Sequence, residues 1–393
     1  MICREFKGLQ LSMLGFGAMR LPVIDGDDAK VDVEQTWRMV DYAMKNGVNY
    51  YDTAWGYHGE HSEEIMGDAL RQYPRDKYYI ADKFPGYDLA NMPKVKEIFE
   101  EQLKRTGMEY FDFYLLHNVC EMNIEQYLDP QYGIMEYLLE QKKTGRIRHF
   151  SFSCHGEMPV LKKFLEAHGD EMEFCQLQLN YLDWDFQHGK EKVELLKKYD
   201  IPVWVMEPVR GGKLAKLSED REKRLKALRP DEGIPAWAFR FLQGMPEVKM
   251  ILSGMSDEAQ VKDNIATFAE ERPLNDTEMK TLMEIAGELA DERSVPCTAC
   301  HYCVDHCPQG LDIPRLIELY NDHILTTKAG LFGFIAPMAL SAVPEDKKPE
   351  ACLHCGSCEQ VCPQQIKISE VMTDFIEALK PKDEKKDEEK TGE

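Results

Sequence analysis

The sequence predicts a parallel (β/α)8 barrel followed by a small, mainly helical, cysteine-rich domain. Three observations carry this expectation. Eight short apolar runs with strand character alternate with amphipathic helical stretches between residues 11 and 254. Several of those runs are apolar throughout instead of alternating, which marks strands covered on both faces. Eight of the 12 cysteines then fall between 297 and 362, where the alternation has stopped.

The strand runs are, in order, LSMLGFGAM (11–19), NYYDTA (49–54), YYIADKF (78–84), YFDFYLLH (110–117), IRHFSFSCH (147–155), FCQLQLNYL (174–182), PVWVMEP (202–208) and VKMILSG (248–254). Between the first two lies VEQTWRMVDYAMKNG (33–47), whose Val33, Trp37, Val40 and Met44 recur at helical spacing and whose Gly47 gives a stop. EKVELLKKYD (191–200) and DEAQVKDNIATF (257–268) read the same way. Eight strand–helix repeats favour closure into a barrel. A doubly wound open sheet competes, but GFGAMR after the first strand lacks the third glycine and the helix start of a dinucleotide fingerprint. NDTEMKTLMEIAGELADE (275–292) is one more helix, capped by Asn or Asp. The expected division is a barrel over 1–292, a cysteine-rich domain over 293–379 and a disordered, almost purely charged tail, KPKDEKKDEEKTGE, over 380–393.

The chain has 393 residues, of which 43% are hydrophobic and 30% charged, an ordinary balance for a protein with a real core. Its net charge of −22 repels phosphates and anionic lipid heads, which excludes nucleic acid and membrane surfaces as expected partners. MICREFKGLQL has no apolar stretch of the secretory kind. The longest apolar run, AGLFGFIAPMALSAV (329–343), is too short for a membrane span and contains proline, so it reads as a buried or interfacial segment. The expected location is the cytoplasm. In that reducing setting 12 cysteines point to metal or redox chemistry and away from disulfides.

Cys297, Cys300, Cys303 and Cys307-Pro308 spell C-x2-C-x2-C-x3-C-P, and Cys352, Cys355, Cys358 and Cys362-Pro363 spell it again. Structural zinc is the competing reading, but it prefers two C-x2-C pairs across a longer loop and needs neither a third close cysteine nor the proline. Three thiolates on one tight loop reach three corners of an iron–sulfur cubane while the fourth points toward a second. The run resembles that of bacterial two-cluster ferredoxins. The resemblance implies two [4Fe–4S] clusters with crossed ligation. One is held by Cys297, Cys300, Cys303 and Cys362, the other by Cys352, Cys355, Cys358 and Cys307. His301, His306 and His354 read as solvated neighbours, and Cys3, Cys120, Cys154 and Cys175 as small buried hydrophobes.

In a barrel of this kind chemistry gathers where strands end. The second strand run ends at Asp52, with Tyr57 in the loop beyond it; the third ends at Lys83 and the fourth at His117. Over about residues 5 to 290 the sequence resembles the aldo-keto reductase superfamily, on the strength of YDTAWGYHGEHSEE, Lys83 and the LLH at 115–117. Within it the chain is similar to the branch that appends a ferredoxin-like domain. The resemblance implies a barrel that binds NAD(P)H without a Rossmann fold and reduces aldehydes or ketones, with Asp52, Tyr57, Lys83 and His117 as its tetrad. The chemistry is coherent on its own terms. A carbonyl receiving hydride needs a proton, and a phenol with a pKa near 10 is a poor acid at neutral pH. A neighbouring ammonium lowers that value, a carboxylate holds the ammonium in place, and a neutral imidazole orients the carbonyl oxygen.

By the same resemblance Gln176 stands where the family holds the nicotinamide carboxamide. Ser153 matches a serine of that site, with Cys154 in place of the usual asparagine, and Met206 stands where many members stack an aromatic ring. In LSGMSDEAQVKDN (252–264) Asn264 matches the adenosine-end segment, whereas Gly254 and Gln260 replace the lysine and arginine of NADPH-preferring members. Losing two cations weakens recognition of a 2′-phosphate. Arg210, Gly211 and Gly212 offer main-chain donors to a pyrophosphate, or form an ordinary turn. The expected function is carbonyl–alcohol interconversion on a small molecule, with the clusters exchanging electrons with a redox partner protein. A cubane normally passes one electron and a hydride carries two, so a converter is needed: a nicotinamide reduced elsewhere or a flavin, for which no residue pattern speaks. The alternative is an electron-transfer or redox-sensing protein whose barrel is a docking or ligand-binding module. A purely structural role for the clusters is the third reading.

Overall fold

Eight parallel strands close on themselves in the order β10-β3-β4-β5-β6-β7-β8-β9. They are β3 (Leu14–Gly17), β4 (Tyr50–Asp52), β5 (Tyr79–Phe84), β6 (Phe111–Val119), β7 (Ile147–Cys154), β8 (Cys175–Gln178), β9 (Val203–Met206) and β10 (Val248–Gly254). This is a computed structural model, and it describes residues 1–291, 295, 297, 302–327, 333, 335–362 and 364–380. The chain divides into two units, Met1–Ile285 and Ala286–Glu393.

Tyr50, Ala81, Phe113, Leu115, Phe174, Trp204, Met250 and Leu252 pack together inside the barrel. Side chains alternate along a strand, so two steps further on the same face still point inward. Asp52 is in register with Ala81, Lys83 with Leu115 and Ser153 with Gln176. Gln176 is in turn in register with Trp204. Asp52, Lys83, Ser153, Gln176, Met206 and Gly254 therefore all belong to the inward-facing set at the C-terminal end of the barrel.

The first run, 11–19, is not one strand. Its start belongs to a hairpin of β1 (Cys3–Phe6) and β2 (Leu9–Ser12), and only β3 joins the barrel. The turn is Lys7-Gly8, both at positive φ (48° and 87°), the geometry of a two-residue hairpin. Phe6 carries the reason for the hairpin: its ring lies 4.8 Å from Trp204 and 6.0 Å from Phe113 within the same apolar cluster.

Three helices bear on the site: α1 (Val33–Lys45), α2 (Ser62–Leu70) and α3 (Val95–Thr106). Asp32 caps α1 by accepting from the Gln35 N–H, and Gly47 beyond it takes φ 88°. The buried face of α1 is Thr36, Met39, Val40 and Ala43, while Trp37 is exposed, so the apolar stripe is rotated from the one the sequence spacing suggested.

In the second unit helices Ile313–Thr327, Ile335–Ser341 and Ile368–Leu379 enclose one apolar core that includes Cys303 and Cys358. The described part of the 329–343 run contributes Ala336, Ala339 and Leu340 to it. Cys300, His301, Pro363 and residues 381–393 of the charged tail lie outside the described residues. Among the described residues no helix is long and apolar enough to cross a membrane.

Candidate active site and cysteine centre

Lys83 is fully buried at the end of β5 and its ammonium makes three short contacts. Nζ donates to Asp52 Oδ1 at 2.6 Å and to the Thr53 carbonyl at 2.7 Å, and lies 3.4 Å from the Tyr57 hydroxyl. His117 approaches from β6, its ring set edge-on to those of Tyr57 (5.9 Å) and Tyr87 (5.2 Å). Tyr57 rides on the β4–α2 loop. His58 anchors that loop: its Nε2 accepts the Leu21 N–H at 3.0 Å while Nδ1 meets the Asp28 carbonyl at 3.0 Å. On the other flank the Arg105 guanidinium lies 3.7 Å over the Trp55 ring.

Burial pushes the Asp52 carboxyl above its ordinary value, against the opposing pull of Lys83. Burial alone would lower the Lys83 ammonium, but the charge of Asp52, Tyr57 beside it and the Asp52 hydrogen bond raise it instead. Burial also pushes the Tyr57 phenol up. Lys83 pulls it down, as the sequence argument expects, while Asp52 and Glu207 push up, and the phenol ends above 10. Burial, Lys83 and His155 together hold His117 well below its usual range, so the imidazole is neutral. Its Nδ1 has no hydrogen-bond partner among the described residues, nor has Oε1 of the buried Gln176.

The remaining sequence candidates divide. Ser153 Oγ accepts the Asn118 N–H at 2.8 Å, and Gln176 Nε2 lies 3.9 Å from Met206 Sδ. Asn264 is buried and donates to Ser253 Oγ at 3.0 Å. Gln260 is exposed and folded back onto its own turn, accepting from the Ser256 N–H and donating to Asp257. Arg210 is buried in an ion pair with Asp183 (2.9 Å), and Gly211 and Gly212 both take positive φ. Sequence reasoning missed Arg20 and Glu207. A Cβ on Gly254 would touch the Arg20 methylenes at 3.1 Å, and the Arg20 guanidinium reaches Glu207 at 3.4 Å. A cation thus lies beside Gly254, supplied by the segment that follows β3.

In the second unit Cys307, Cys352, Cys355 and Cys358 line one cavity, together with apolar Leu311, Ile313, Ile368 and Met372. Cys297, Cys303 and Cys362 pack on the same core. No disulfide joins the described cysteines, and among the described residues no three ligating side chains converge tightly enough for a single metal ion. His306 and His354 are exposed. Cys120, Cys154 and Cys175 are buried, with their thiols pushed up by burial, whereas Cys3 is exposed on the hairpin.

Residues 13–286 match the model of the Aldo/keto reductase family, and residues 296–366 match that of a 4Fe-4S dicluster domain. The chain is 25% identical over 305 residues to an L-galactose dehydrogenase of Arabidopsis thaliana, spanning 72% of this chain and 92% of that protein. It is 24% identical over 328 residues to an NADH-specific methylglyoxal reductase of Escherichia coli, spanning 72% and 96%. An aldo-keto reductase of Bacillus halodurans in its holo form superposes with a TM-score of 0.59 at 25% identity, over 72% of this chain and 96% of that one. The barrel, its strand-end chemistry and the match across most of the chain lead to one conclusion: this protein belongs to the Aldo/keto reductase family and is an oxidoreductase with a C-terminal 4Fe-4S dicluster domain.

Proposed function

We propose that the barrel interconverts a small carbonyl compound and its alcohol by hydride transfer, with Tyr57 as general acid/base. The observation that carries the reading is the buried chain Asp52–Lys83–Tyr57. In the reducing direction Tyr57 enters protonated, as its raised value requires, and gives its proton to the oxygen that receives negative charge. The phenolate left behind faces an ammonium that is already charged and held by Asp52 and Thr53, so no group has to reorganise. His117, being neutral, offers a hydrogen bond to the carbonyl oxygen without competing for the proton.

When bound, a nicotinamide supplies the hydride. Two features support that cofactor. The orphaned Gln176 Oε1 is an acceptor waiting for an amide N–H at the inward face of β8, and Ser153 lies in register beside it. Either nucleotide form suits this reading: the Escherichia coli relative is named NADH-specific and Gly254 and Gln260 carry no charge, while Arg20 sets a cation beside Gly254. Arg20, Gly211 and Gly212 are the candidates for the diphosphate, and Arg210 a supporting residue held by Asp183.

When bound, [4Fe–4S] clusters supply one-electron transfer with a redox partner. The cavity lined by Cys307 with Cys352, Cys355 and Cys358 supports crossed ligation, because the first run's fourth thiol lies among the second run's first three. Cys297, Cys300, Cys303 and Cys362 would hold the other cluster. On this reading residues 1–292 are the reductase domain, 293–379 the electron-transfer domain and 380–393 a charged tail.

The test is anaerobic purification, titration with NADH and NADPH, and reduction of methylglyoxal or oxidation of L-galactose as probes. Wild type is expected to transfer hydride, and Tyr57→Phe to bind nucleotide equally while losing roughly 10³-fold in kcat. Near-normal turnover by Tyr57→Phe rejects the assignment.

A further inference from the structure

Behind Lys83 lies a second pair of acids. Asp82, the residue preceding it, and Glu63 on α2 are both fully buried, as is Gln102 on α3. Gln102 Nε2 reaches Glu63 Oε1 at 2.9 Å, Asp82 Oδ1 at 2.9 Å and the Lys83 carbonyl at 3.0 Å. Its Oε1 accepts the Tyr114 hydroxyl at 2.5 Å, which fixes the amide's orientation. The Lys83 N–H donates to Asp82 Oδ1 at 2.8 Å. The peptide groups on both sides of Lys83 are thus held by this cluster.

Asp82 Oδ1 and Glu63 Oε1 accept from the same Gln102 nitrogen, at 2.9 Å each, so two buried carboxyl groups stand side by side. An ionised carboxylate only accepts, so two of them bond directly only if one carries a proton. The neighbours decide which. Glu63 Oε2 receives Arg105 at 3.1 Å and so has a cation. Asp82 has no cation bonded to its carboxyl: Lys83 pulls it toward ionisation, but the ammonium donates to Asp52, whose own charge pushes Asp82 the other way. Asp82 Oδ1 already accepts two N–H groups, while Oδ2 receives no donor among the described residues, as a hydroxyl oxygen would not.

We propose that Asp82, Glu63 and Gln102 form a positioning unit beneath Lys83, in which Asp82 is a neutral carboxylic acid donating its proton to Glu63. The proposal rests on Lys83 and Tyr57 being the catalytic pair. Burial and Glu63 push Asp82 well above the usual carboxylate range, in the same sense. The charged or titratable groups facing the pair are Asp52 on β4, Lys83 on β5, Arg105 on α3 and Tyr114 on β6. Neutrality has a use here. An ionised Asp82 would be a second buried anion beside Lys83 and would oppose phenolate formation on Tyr57. As an acid, Asp82 grips the lysine backbone without adding charge.

The test compares Asp82→Asn with Asp82→Leu in the full-length, cluster-loaded protein. Asparagine keeps the shape, the accepting Oδ1 and a donor toward Glu63; leucine keeps neither polar contact. Infrared difference spectra in H2O and D2O are expected to show a protonated-carboxyl band in wild type that Asp82→Asn lacks, and this arm needs no substrate. Asp82→Leu is expected to lose on the order of 10²-fold in kcat with little change in nucleotide affinity, since a misplacement of about 1 Å costs that much, and Asp82→Asn to restore most of it. A band that persists in Asp82→Asn, or an asparagine variant as damaged as the leucine one, overturns the proposal. The catalytic reading fails separately, through Tyr57→Phe, which leaves the infrared band in place.

Discussion

Replacing Lys83 with methionine removes one charge and keeps most of the side-chain volume, so it isolates the electrostatic work of the ammonium. The lower bound on its effect is one charge-assisted hydrogen bond to the phenolate, roughly 1.5–3 kcal/mol. The upper bound is the Coulomb attraction across the 3.4 Å gap between Nζ and the hydroxyl, roughly 5 kcal/mol at an effective dielectric of about 20. At about 1.4 kcal/mol per decade these bracket a loss from ~10-fold to ~3,000-fold, and we expect kcat for aldehyde reduction to fall on the order of 10²-fold. The assay is nucleotide oxidation under saturating substrate, with nucleotide affinity measured separately. The same substitution has a stability signature. Asp52 already titrates above its ordinary value because of burial, and without Lys83 it loses the pull that opposes this. A carboxyl whose folded pKa is raised stabilises the fold below its unfolded value and loses that contribution as pH rises through the folded one. The melting temperature of Lys83→Met relative to wild type should therefore be least affected in acid and drop as pH rises. A variant that keeps kcat within about threefold of wild type would refute the idea that Lys83 stabilises the developing phenolate.

Two further predictions follow from other parts of the molecule. With crossed ligation, Cys307→Ala and Cys352→Ala strike the same cluster, so each should lower iron from about eight to about four per chain and the double variant no further, whereas Cys303→Ala with Cys307→Ala should strip both; iron and acid-labile sulfide analysis decides, and the reverse pattern means uncrossed ligation. Glu173 is held to about 2 despite its burial, by hydrogen bonds from His149 and Lys142 and by the Lys142 charge. Its stabilising contribution is present above the ordinary value of about 4.3 and lost as pH falls through about 2, so Glu173→Gln should cost about 1–3 kcal/mol at pH 7 by chemical denaturation and the difference should close in strong acid.

The barrel was legible because its signal is repetitive. A strand covered on both faces reads as an apolar run, and eight such runs separated by helices leave few ways to bury them. The convergence of Asp52, Lys83 and His117 was legible for a related reason: parallel strands in register bring their C-terminal ends to one rim, so residues far apart in sequence meet there. The hairpin at Cys3–Ser12 was not read, although Lys7-Gly8 was the available signal, because its second strand runs almost directly into β3 and looks continuous with it. Trp37 shares the apolar spacing of α1 and is nonetheless exposed, because such spacing marks a stripe but does not say which edge of it meets the barrel.

By itself the sequence determined the kinds of chemistry this chain carries: a phenol, an amine, a carboxylate and an imidazole at successive strand ends, and eight thiols in a twice-repeated spacing. Such types and intervals are covalent facts that no packing alters. The tertiary structure decided the balance of forces among them. Burial, with Asp52 and Glu207, sets the Tyr57 phenol above its ordinary value in spite of Lys83, and the fold brings Glu63 of α2 and Gln102 of α3 beneath Asp82. Desolvation and the contacts between distant segments depend on three-dimensional closeness, and a linear pattern does not encode the distances that govern them.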